Sequence, residues 1–418
     1  MKVLWITNAI FPEPSKKLGL PIPVFGGWMY GLAQDLSCFA DIELAVATIY
    51  DGTDLKVFYE KGIHYYLLPS KYALKYQSHL EVYWREVCNV FNPDIIHING
   101  TEYPHGLACM KSQPNKTYVI SIQGILSVCQ RYYLGGLSNK EIINNITFRD
   151  IVRMDNLFQS RMKMQNRSKW EKQYFTLTKN VIGRTTWDKS HSLLLSKTAR
   201  YHFCNESLRE EFYTSTKWKF DNCKKYTIFL SQAGYPLKGF HQVLKAVALL
   251  KIEFPTITIN IAGHNISNVT TLMDKLRMSG YGKYISKLIK QLDLGENVNF
   301  TGELNEEQMV QAYLNSHVFI CPSIIENSPN SLGEAQILGV PCIAAYVGGV
   351  PDMIIHGETG IMYRFEEVEM LANYIRILFT ESDLAKKISS SGIIAAETRH
   401  NRLINKETMR AIYSNLSN

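Results

Sequence analysis

Hydrophobic and polar positions change in blocks along the first half of the chain. Short runs of β-branched and other apolar residues, typical of buried strands, are followed by longer stretches with an apolar residue every three or four positions, typical of helices. The predicted strands lie at 2–7, 42–50, 64–69, 94–98 and 118–122. Strands that alternate with helices in this way form a parallel sheet with crossover helices, so we predict a doubly wound α/β domain. Residues 138–196 have a mainly helical pattern, with two further short strands predicted at 181–184 and 199–203.

The second half repeats this pattern after a break. Residues 207–225 are polar, lysine-rich and contain aromatic residues, which is typical of an interdomain linker. The predicted strands that follow lie at 226–232, 256–263, 297–302, 317–323 and 341–346. We therefore predict two Rossmann-like domains, at 1–206 and 226–395. Sheets of this type bind ligands at the carboxyl ends of their strands, so the two domains are expected to face each other across a central cleft.

Composition agrees with two globular domains and excludes several other classes of protein. The 418 residues are 46% hydrophobic and 20% charged, and they exceed what one ordinary core holds. The formal net charge of +7 is mild, and no helix-turn-helix, zinc-finger or RNA-binding pattern accompanies it, so no nucleic-acid partner is expected. The eight cysteines form no C-x-x-C pair and no metal-like spacing with histidine, which predicts reduced thiols and no metal site.

The location of the protein is predicted from two absences and one basic stretch. The start, MKVLWITNAIF, lacks the apolar segment and cleavage site of a signal peptide, and no window reaches about 18 consecutive apolar residues. We therefore expect a cytoplasmic protein. Residues 153–172 interleave Met, Phe and Trp with basic side chains, which indicates either a solvated helix face or peripheral contact with anionic headgroups at the inner face of the cytoplasmic membrane. The basic residues considered are Arg161, Lys163, Arg167, Lys169 and Lys172.

The segment 324–341, IIENSPNSLGEAQILGVP, carries the most specific chemistry. It follows a predicted strand, and Ser328–Pro329 is expected to be a helix cap followed by the first helical residue, with Asn330 as the competing cap. Amide groups at such a helix start bind phosphate. Glu326 and Glu334 flank these amides, and a carboxylate accepts hydrogen bonds from adjacent sugar hydroxyls. The segment therefore predicts a site for a diphosphate between two sugars, with an acidic helix cap as the plainer alternative.

Beyond Glu334 the chain continues AQILGVPCIAAYVGGVPDMIIHGETGIMY. The E-x7-E pair followed by A-x3-G-x-P-x-I-x4-G-G resembles glycosyltransferase family 4, the glycosyl transferases group 1, which are retaining enzymes of GT-B fold that use nucleotide-sugar donors. NVNFTGEL at 297–304 and the Gly26–Gly27 loop also match, so the resemblance extends over most of the chain. It implies the GT-B fold, with a C-terminal helix at 396–418 that packs back on the N-terminal, acceptor-side domain.

The resemblance also implies how the second domain binds the donor. Glu334 would hold the ribose of the nucleotide, and Glu326 would contact the transferred sugar. The amides of Asn330, Ser331 and Leu332 would bind the diphosphate.

One cation is implied by the resemblance and another is replaced. Lys238 in YPLKGF matches the family's Lys-Gly, whose ammonium offsets the negative charge of the leaving diphosphate; a solvated surface lysine is the alternative. The family often has an arginine six positions earlier, where this chain has Gln232. The missing cation would then come from elsewhere, for example from Arg184, Lys189 or Arg209.

In the first domain the resemblance implies a pyrophosphate-binding loop and a catalytic strand end. Gly26 and Gly27 head a predicted helix, where bare backbone can approach a pyrophosphate, although such a pair more often marks a turn. The family's catalytic histidine falls on Asn99, with His105 as a nearby candidate. His97 in the same strand is as well explained by a structural role. Gln123 also stands where the family frequently has a histidine.

These matches predict a retaining hexosyl- or glycosyltransferase. It would move a sugar from a UDP- or GDP-linked donor, which is a substrate and not a resident cofactor, to a hydroxyl of a glycan or lipid-linked acceptor in cell-surface polysaccharide synthesis. The expected mechanism is same-face attack, in which the departing phosphate oxygen takes the acceptor's proton and no metal is demanded. The alternatives are a GT-B-shaped nucleotide-sugar epimerase or phosphorylase, and a catalytically silent protein that binds nucleotide sugar or glycan.

Overall fold

The computed structural model describes residues 1–22, 27–71, 74–268 and 271–417. Contacts divide the chain into two compact units. The first unit comprises Met1–Val128, Met164–Arg209 and His400–Asn418, and the second comprises Cys129–Lys163 and Glu210–Arg399. Each unit contains its own largely parallel sheet, so the predicted class of two Rossmann-like α/β units is confirmed.

The strands and helices are named here in chain order. The strands are β1 (Lys2–Ile6), β2 (Glu43–Tyr50), β3 (Lys56–Glu60), β4 (Ile63–Pro69), β5 (Ile95–Asn99), β6 (Thr117–Ser121), β7 (Asn180–Gly183), β8 (Arg200–Phe203), β9 (Lys224–Leu230), β10 (Thr258–Ile261), β11 (Val298–Phe300), β12 (Ser316–Cys321), β13 (Cys342–Ala345) and β14 (Ile361–Tyr363). The helices are α1 (Pro12–Lys17), α2 (Gly27–Ser37), α3 (Leu80–Phe91), α4 (His105–Ser112), α5 (Leu126–Cys129), α6 (Asn139–Asn144), α7 (Phe148–Arg153), α8 (Leu157–Leu177), α9 (Thr186–Leu195), α10 (Glu210–Thr214), α11 (Phe240–Leu250), α12 (Leu272–Arg277), α13 (Gly280–Gln291), α14 (Glu306–Leu314), α15 (Asn330–Leu338), α16 (Val368–Thr380), α17 (Ser382–Arg399) and α18 (Arg402–Ser417).

The first unit is built on an eight-stranded sheet in the order β3-β4-β2-β1-β5-β6-β7-β8. Its central strands β1 and β5 pair in parallel, with Val3 opposite Ile95, and both side chains are fully buried, as expected for a sheet covered by helices on both faces. The short strands predicted at 181–184 and 199–203 are confirmed as β7 and β8. Edge strand β3, which runs antiparallel to β4, has no counterpart in the prediction because its alternating exposed side chains give a weak apolar signal.

Helix α18 completes the first unit although it is the last helix of the chain. Tyr413 is fully buried, and its hydroxyl accepts a hydrogen bond of 2.8 Å from Trp5 Nε1 on β1. Arg402 donates two hydrogen bonds, of 2.9 and 3.2 Å, to the carboxylate of Asp35 on α2. These contacts join the C-terminal helix to the first strand and the second helix.

The second unit is built on a parallel six-stranded sheet in the order β11-β10-β9-β12-β13-β14. From β9 the strand order runs outward in one direction through β10 and β11, and from β12 it runs in the other direction. This reversal is the topological switch point of a doubly wound sheet, where the loops leaving two neighbouring strands diverge and leave a crevice.

The segment Cys129–Lys163 belongs to the second unit, although the predicted boundary assigned it to the first domain. His241 Nε2 on α11 lies 2.9 Å from the carbonyl oxygen of Gly135. The hydroxyl of Tyr284 on α13 donates a 3.1 Å hydrogen bond to Glu141. A helical pattern shows that one face of a helix is buried, but it does not show which core buries that face. The boundary predicted from sequence order therefore differs from the division in the structure.

The stretch predicted as a linker, 207–225, is partly structured within the second unit from Glu210 onward. Trp218 is buried, and its indole N–H donates a 2.8 Å hydrogen bond to the carbonyl of Ser316 on β12. The buried Phe212 on α10 lies edge-on to Tyr313, with ring centroids 6.0 Å apart. Phe212 and Trp218 of this polar stretch therefore pack in the core.

Candidate active site

An ion pair lies at the carboxyl edge of the second sheet. Lys238 follows β9 at the end of a single 3₁₀ turn, Pro236–Lys238, and Glu326 follows β12. The Lys238 Nζ and Glu326 Oε1 atoms are 2.6 Å apart, and the two side chains are 20% and 16% exposed. β9 and β12 are the strands at the switch point of this sheet. The fold therefore brings two of the predicted catalytic residues into contact where ligands of such sheets bind.

The carboxylate of Glu326 keeps Lys238 charged. Burial opposes the positive charge, but Glu326 outweighs that effect and holds the pKa of the ammonium above its usual value. The ring of Tyr235, whose centroid is 5.9 Å from Nζ, adds a cation–π contact. Burial, together with the charge of Glu326, raises the pKa of the nearby Cys321 thiol to about 12. The site therefore offers a permanent cation beside a neutral thiol at neutral pH.

Gly239, the second residue of the Lys-Gly motif, allows the turn that positions Lys238. Its φ is +67°, and a Cβ atom built on it would lie 1.8 Å from the carbonyl oxygen of Pro322. The same turn is joined to the loop after β12 by a 2.9 Å hydrogen bond from Ile324 N to Leu237 O. Only glycine combines that φ with so close a backbone approach, so the motif has a structural cause as well as a chemical one.

Gly348 and Gly349 contact the backbone of Glu326. Gly348 has a φ of +53°, and a Cβ atom there would lie 1.8 Å from the Glu326 carbonyl oxygen. The same oxygen accepts a 3.0 Å hydrogen bond from Gly349 N. The paired glycines of the sequence motif therefore hold the backbone of the acidic residue in place.

Helix α15 begins one residue later than predicted. Pro329 is its N-cap, with extended backbone (φ −68°, ψ 117°), so neither Ser328 nor Asn330 caps the helix. No side chain within the described chain forms a cap hydrogen bond at this end. The Oδ1 atom of Asn330 is buried and has no hydrogen-bond partner in the described part of the structure. The helix therefore starts with backbone amides and one amide oxygen that no side-chain cap satisfies.

The remaining predicted donor residues lie on the same helix. Ser331 and Leu332 occupy its first turn, and Glu334 follows in the second and is buried. The hydroxyl of Tyr313 on α14 lies 3.0 Å from Ser331 O and 3.3 Å from Glu334 Oε2. Tyr313, which sequence reasoning did not single out, therefore positions both the helix start and the carboxylate. Its only sequence signal is an aromatic residue on the apolar face of the preceding helix.

Gln232 and the cations considered in place of the family's arginine occupy different environments. Gln232 is exposed in the loop after β9. Arg184 is buried in the first unit, where its Nη1 atom lies 2.7 Å from Glu206 and donates a 3.1 Å hydrogen bond to Ile122 O. Lys189 is exposed, with its ammonium 5.7 Å from the ring of Tyr201 in the same unit. Arg184 is thus already neutralised by a buried carboxylate.

The histidines near the carboxyl edge of the first sheet are buried and neutral. Because Trp5 donates to the Tyr413 hydroxyl, that hydroxyl can donate to His97 Nδ1 at 2.6 Å, which leaves His97 Nε2–H to donate to Ser121 at 2.6 Å. Burial lowers the pKa of His97 to about 3 and that of His105 to about 4. His105 Nε2 donates a 3.1 Å hydrogen bond to a backbone carbonyl, that of Thr7.

Three polar residues surround the switch point of the first sheet, between β1 and β5. Asn99 ends β5, and its buried Nδ2 atom has no hydrogen-bond partner among the described residues. Asn8 follows β1 and donates a 3.0 Å hydrogen bond to Glu102 Oε2. Burial, with the charge of Glu171 adding to it, raises the pKa of Glu102 to about 7. Asn8 was not among the predicted residues; its signal is its place directly after the first strand.

The glycine pair and the basic stretch of the sequence are only partly described. Gly26 lies outside the described residues, and Gly27 is the first residue of α2. Within 153–172, Arg167 donates hydrogen bonds of 3.0 and 2.7 Å to Glu102 O and lies over the ring of Tyr103. The other four basic residues considered are exposed, and they are Arg161, Lys163, Lys169 and Lys172.

Two kinds of feature are absent from the described ranges. Within them, no helix combines the length and apolar character needed to cross a membrane. In the same ranges, no three His, Cys, Asp or Glu side chains are grouped so that they could hold a metal ion.

Comparison with known proteins finds a family model that matches much of the second unit. The sequence model described as glycosyl transferases group 1 matches residues 214–393, which include both members of the ion pair and all of α15. The D-inositol 3-phosphate glycosyltransferase of Streptomyces avermitilis is 27% identical over 164 residues, which cover 39% of this chain and 34% of that protein. The chain thus matches about a third of this relative's length.

Two solved structures resemble the whole chain. Sucrose-phosphate synthase from Thermosynechococcus elongatus has a TM-score of 0.71 at 16% identity and covers 100% of this chain and 99% of its own. Anabaena HepE in complex with UDP and glucose has a TM-score of 0.65 at 16% identity, and 99% of each chain is covered. At this identity the likeness concerns the fold, which is GT-B. Together with the motif match, these findings confirm the resemblance to the glycosyl transferases group 1, whose sequence model matches residues 214–393 of this chain.

Proposed function

We propose that this protein transfers a glycosyl group from a nucleoside-diphosphate sugar to a hydroxyl of a glycan or lipid-linked acceptor. In this proposal the transfer retains the anomeric configuration, and it takes place in the cytoplasm as a step of cell-surface polysaccharide synthesis. The observation that carries the proposal is the Lys238–Glu326 ion pair at the switch point of the second sheet. Two further features support it: the start of α15, which no side chain caps, and a family match that covers all of these residues. HepE, which shares the fold, was solved with UDP and glucose.

In this proposal each part of the donor has its own partner in the second unit. The amides of Asn330 and Ser331 and the positive end of the α15 dipole bind the diphosphate. Glu334 accepts hydrogen bonds from the ribose hydroxyls, in an orientation that Tyr313 maintains. Glu326 contacts the transferred sugar while it keeps Lys238 charged.

The proposed transfer needs no reagent beyond the two substrates. The acceptor oxygen bonds to the anomeric carbon on the face from which the diphosphate leaves, and the bond between that carbon and the phosphate oxygen breaks. The departing oxygen takes the hydroxyl proton of the acceptor. Lys238 offsets the negative charge that develops on the diphosphate, and such fixed charges supply a large part of the catalysis in transfers of this kind.

The donor class is tested with a panel of UDP- and GDP-linked sugars, in which slow hydrolysis is followed by mass spectrometry. We expect hydrolysis of one base class only. Titration calorimetry with that nucleoside diphosphate then tests the site: Glu334→Gln should weaken binding by about tenfold or more, since a charged acceptor is lost. The control is Glu358→Gln, an exposed carboxylate in the same unit. Equal affinity of Glu334→Gln and the unaltered protein would exclude the assigned role.

A catalytically silent binding protein is the second candidate, and Gln232 favours it because the resemblance places an arginine at this position. That candidate predicts diphosphate binding without hydrolysis or transfer of any sugar in the panel. An epimerase predicts an altered donor without an acceptor, and a phosphorylase predicts dependence on free phosphate. The anomeric configuration of a transferred sugar, read by nuclear magnetic resonance, decides retention.

A further inference from the structure

Helices α7 and α12 of the second unit expose an unusual number of apolar side chains. These are Phe148, Ile151, Val152 and Met154 in and directly after α7, and Leu272, Met273 and Leu276 on α12. Phe148 is 67% exposed and Leu272 is 75% exposed. Positions 148, 151 and 152 share one face of α7, because residues three and four apart are neighbours on a helix. We name these seven residues the α7–α12 surface.

The two helices are neighbours in the second unit. The hydroxyl of Thr147, the N-cap of α7, donates a 2.8 Å hydrogen bond to Met278 O at the end of α12. A Cβ atom on Gly280 would lie 2.6 Å from Asp150 Oδ2, so the two segments approach closely. Both helices begin with a complete capping box. Asp150 is the buried residue of α7, and no residue of α12 is buried, so both capped helices lie at the surface of the unit.

The acidic side chains of this region accept hydrogen bonds or form an ion pair, whereas its basic side chains are exposed to solvent. Asp150 and Asp274 accept hydrogen bonds from their own N-cap amides, at 3.2 and 2.9 Å. Asp155 is paired with Arg149 at 3.0 Å. The exposed basic side chains of the region are Lys140, Arg153, Arg161, Lys275 and Arg277. The region thus combines exposed apolar side chains with exposed basic ones.

We infer that the α7–α12 surface docks on an anionic lipid membrane. Apolar side chains that enter the headgroup region, surrounded by lysine and arginine that meet anionic lipids, are the combination used by proteins that lie on a membrane. A protein partner fits less well, since lysine is depleted in protein–protein interfaces. The inference does not depend on the proposed transfer, and its surface differs from the basic face of α8, whose Lys169 and Lys172 lie in the first unit.

Sedimentation with lipid vesicles tests the inference. The unaltered protein should bind vesicles of phosphatidylcholine mixed with phosphatidylglycerol, and bind phosphatidylcholine alone at least about tenfold more weakly, because several basic side chains contribute. The double variant Phe148→Ser, Leu272→Ser should lower binding to the mixed vesicles by about tenfold or more, since two large apolar side chains no longer enter the lipid. The control is Ile252→Ser, which removes a single isolated apolar side chain that is 94% exposed.

Three results would overturn the inference. The first is equal vesicle binding by the double variant and the unaltered protein, with circular dichroism showing both folded. The second is loss of binding in Lys169→Gln, Lys172→Gln but not in the double variant, which would assign the contact to α8. The third is a concentration-dependent dimer, seen by sedimentation velocity without vesicles and abolished by the double variant, which would make a second copy the occupant.

Discussion

The two sheets of this protein have the same kind of switch point but different chemistry at it. In the first unit, Asn99 ends β5 and Glu102 follows it, and burial raises the pKa of Glu102 to about 7. In the second unit, Lys238 and Glu326 follow the two central strands and form a 2.6 Å ion pair that is partly exposed. One crevice is lined by neutral or weakly ionised groups, and the other by a permanent cation with its counter-ion.

This difference shows that topology creates the crevices and the residues after the strands decide their use. A charge pair suits a diphosphate, whose negative charge needs a fixed cation. Amide and carboxyl groups without a permanent charge suit hydroxyl groups, which both donate and accept hydrogen bonds. We therefore expect changes in the second unit to affect the leaving group most, and changes in the first unit to affect pH dependence.

The largest effect is expected from Lys238→Met. Loss of the cation should lower the rate of transfer by about 10²–10³-fold, as for removal of one preorganised stabilising group. The rate of product formation under saturating donor measures this. Because the change leaves Glu326 without its partner, the double variant Lys238→Met, Glu326→Gln is compared with it, and exposed Lys290→Met on α13 is the control. A normal rate in Lys238→Met would remove this residue from the mechanism.

A smaller effect, on stability, is expected from Gly239→Ala. The new methyl group meets the Pro322 carbonyl oxygen in addition to a φ of +67°, so we expect a loss of more than about 2 kcal/mol in the free energy of unfolding. Gly357→Ala is the matched control, since its φ is +77° but nothing lies within 4 Å of the new atom. Its loss should stay at about 1–2 kcal/mol. Urea denaturation of both variants measures the difference, and equal losses would argue against the close approach.

The narrowest effect, confined to one pH range, is expected from Glu102→Gln in the first unit. The pKa of the Glu102 carboxyl group is raised to about 7 in the folded protein, from about 4.5 when unfolded. The folded protein therefore keeps this proton up to a higher pH than the unfolded chain does. The folded protein therefore loses stability as pH rises from about 5 through 7. The variant has no proton to release at this position. The melting temperature of the variant minus that of the unaltered protein should therefore increase between pH 5 and 8. If the melting temperatures of the two proteins changed with pH in the same way over this range, the assigned pKa would be contradicted.

Sequence patterns singled out the proposed donor residues of the second unit because these residues belong to local motifs. Lys238 precedes a glycine that the turn requires, and Glu326 and Glu334 lie on either side of one helix start. The exact cap was wrong by one residue, since Pro329 keeps extended backbone and the helix begins after it. Tyr313 was missed because its contact with Glu334 joins two helices, and no spacing within one segment reveals such a contact.

The alternation of apolar and amphipathic segments by itself determined two Rossmann-like α/β units, and the glutamate and glycine motifs carried the resemblance to the glycosyl transferases group 1. Tertiary structure alone decided which core covers each segment. Cys129–Lys163 joins the second unit across sequence, and α18 returns to the first through Tyr413 and Trp5. It also decided which groups carry charge, since burial lowers the pKa of His97 and His105, and Lys238 stays charged beside Glu326. Sequence periodicity reports a buried face, whereas burial against a particular neighbour depends on contacts between residues far apart in the chain.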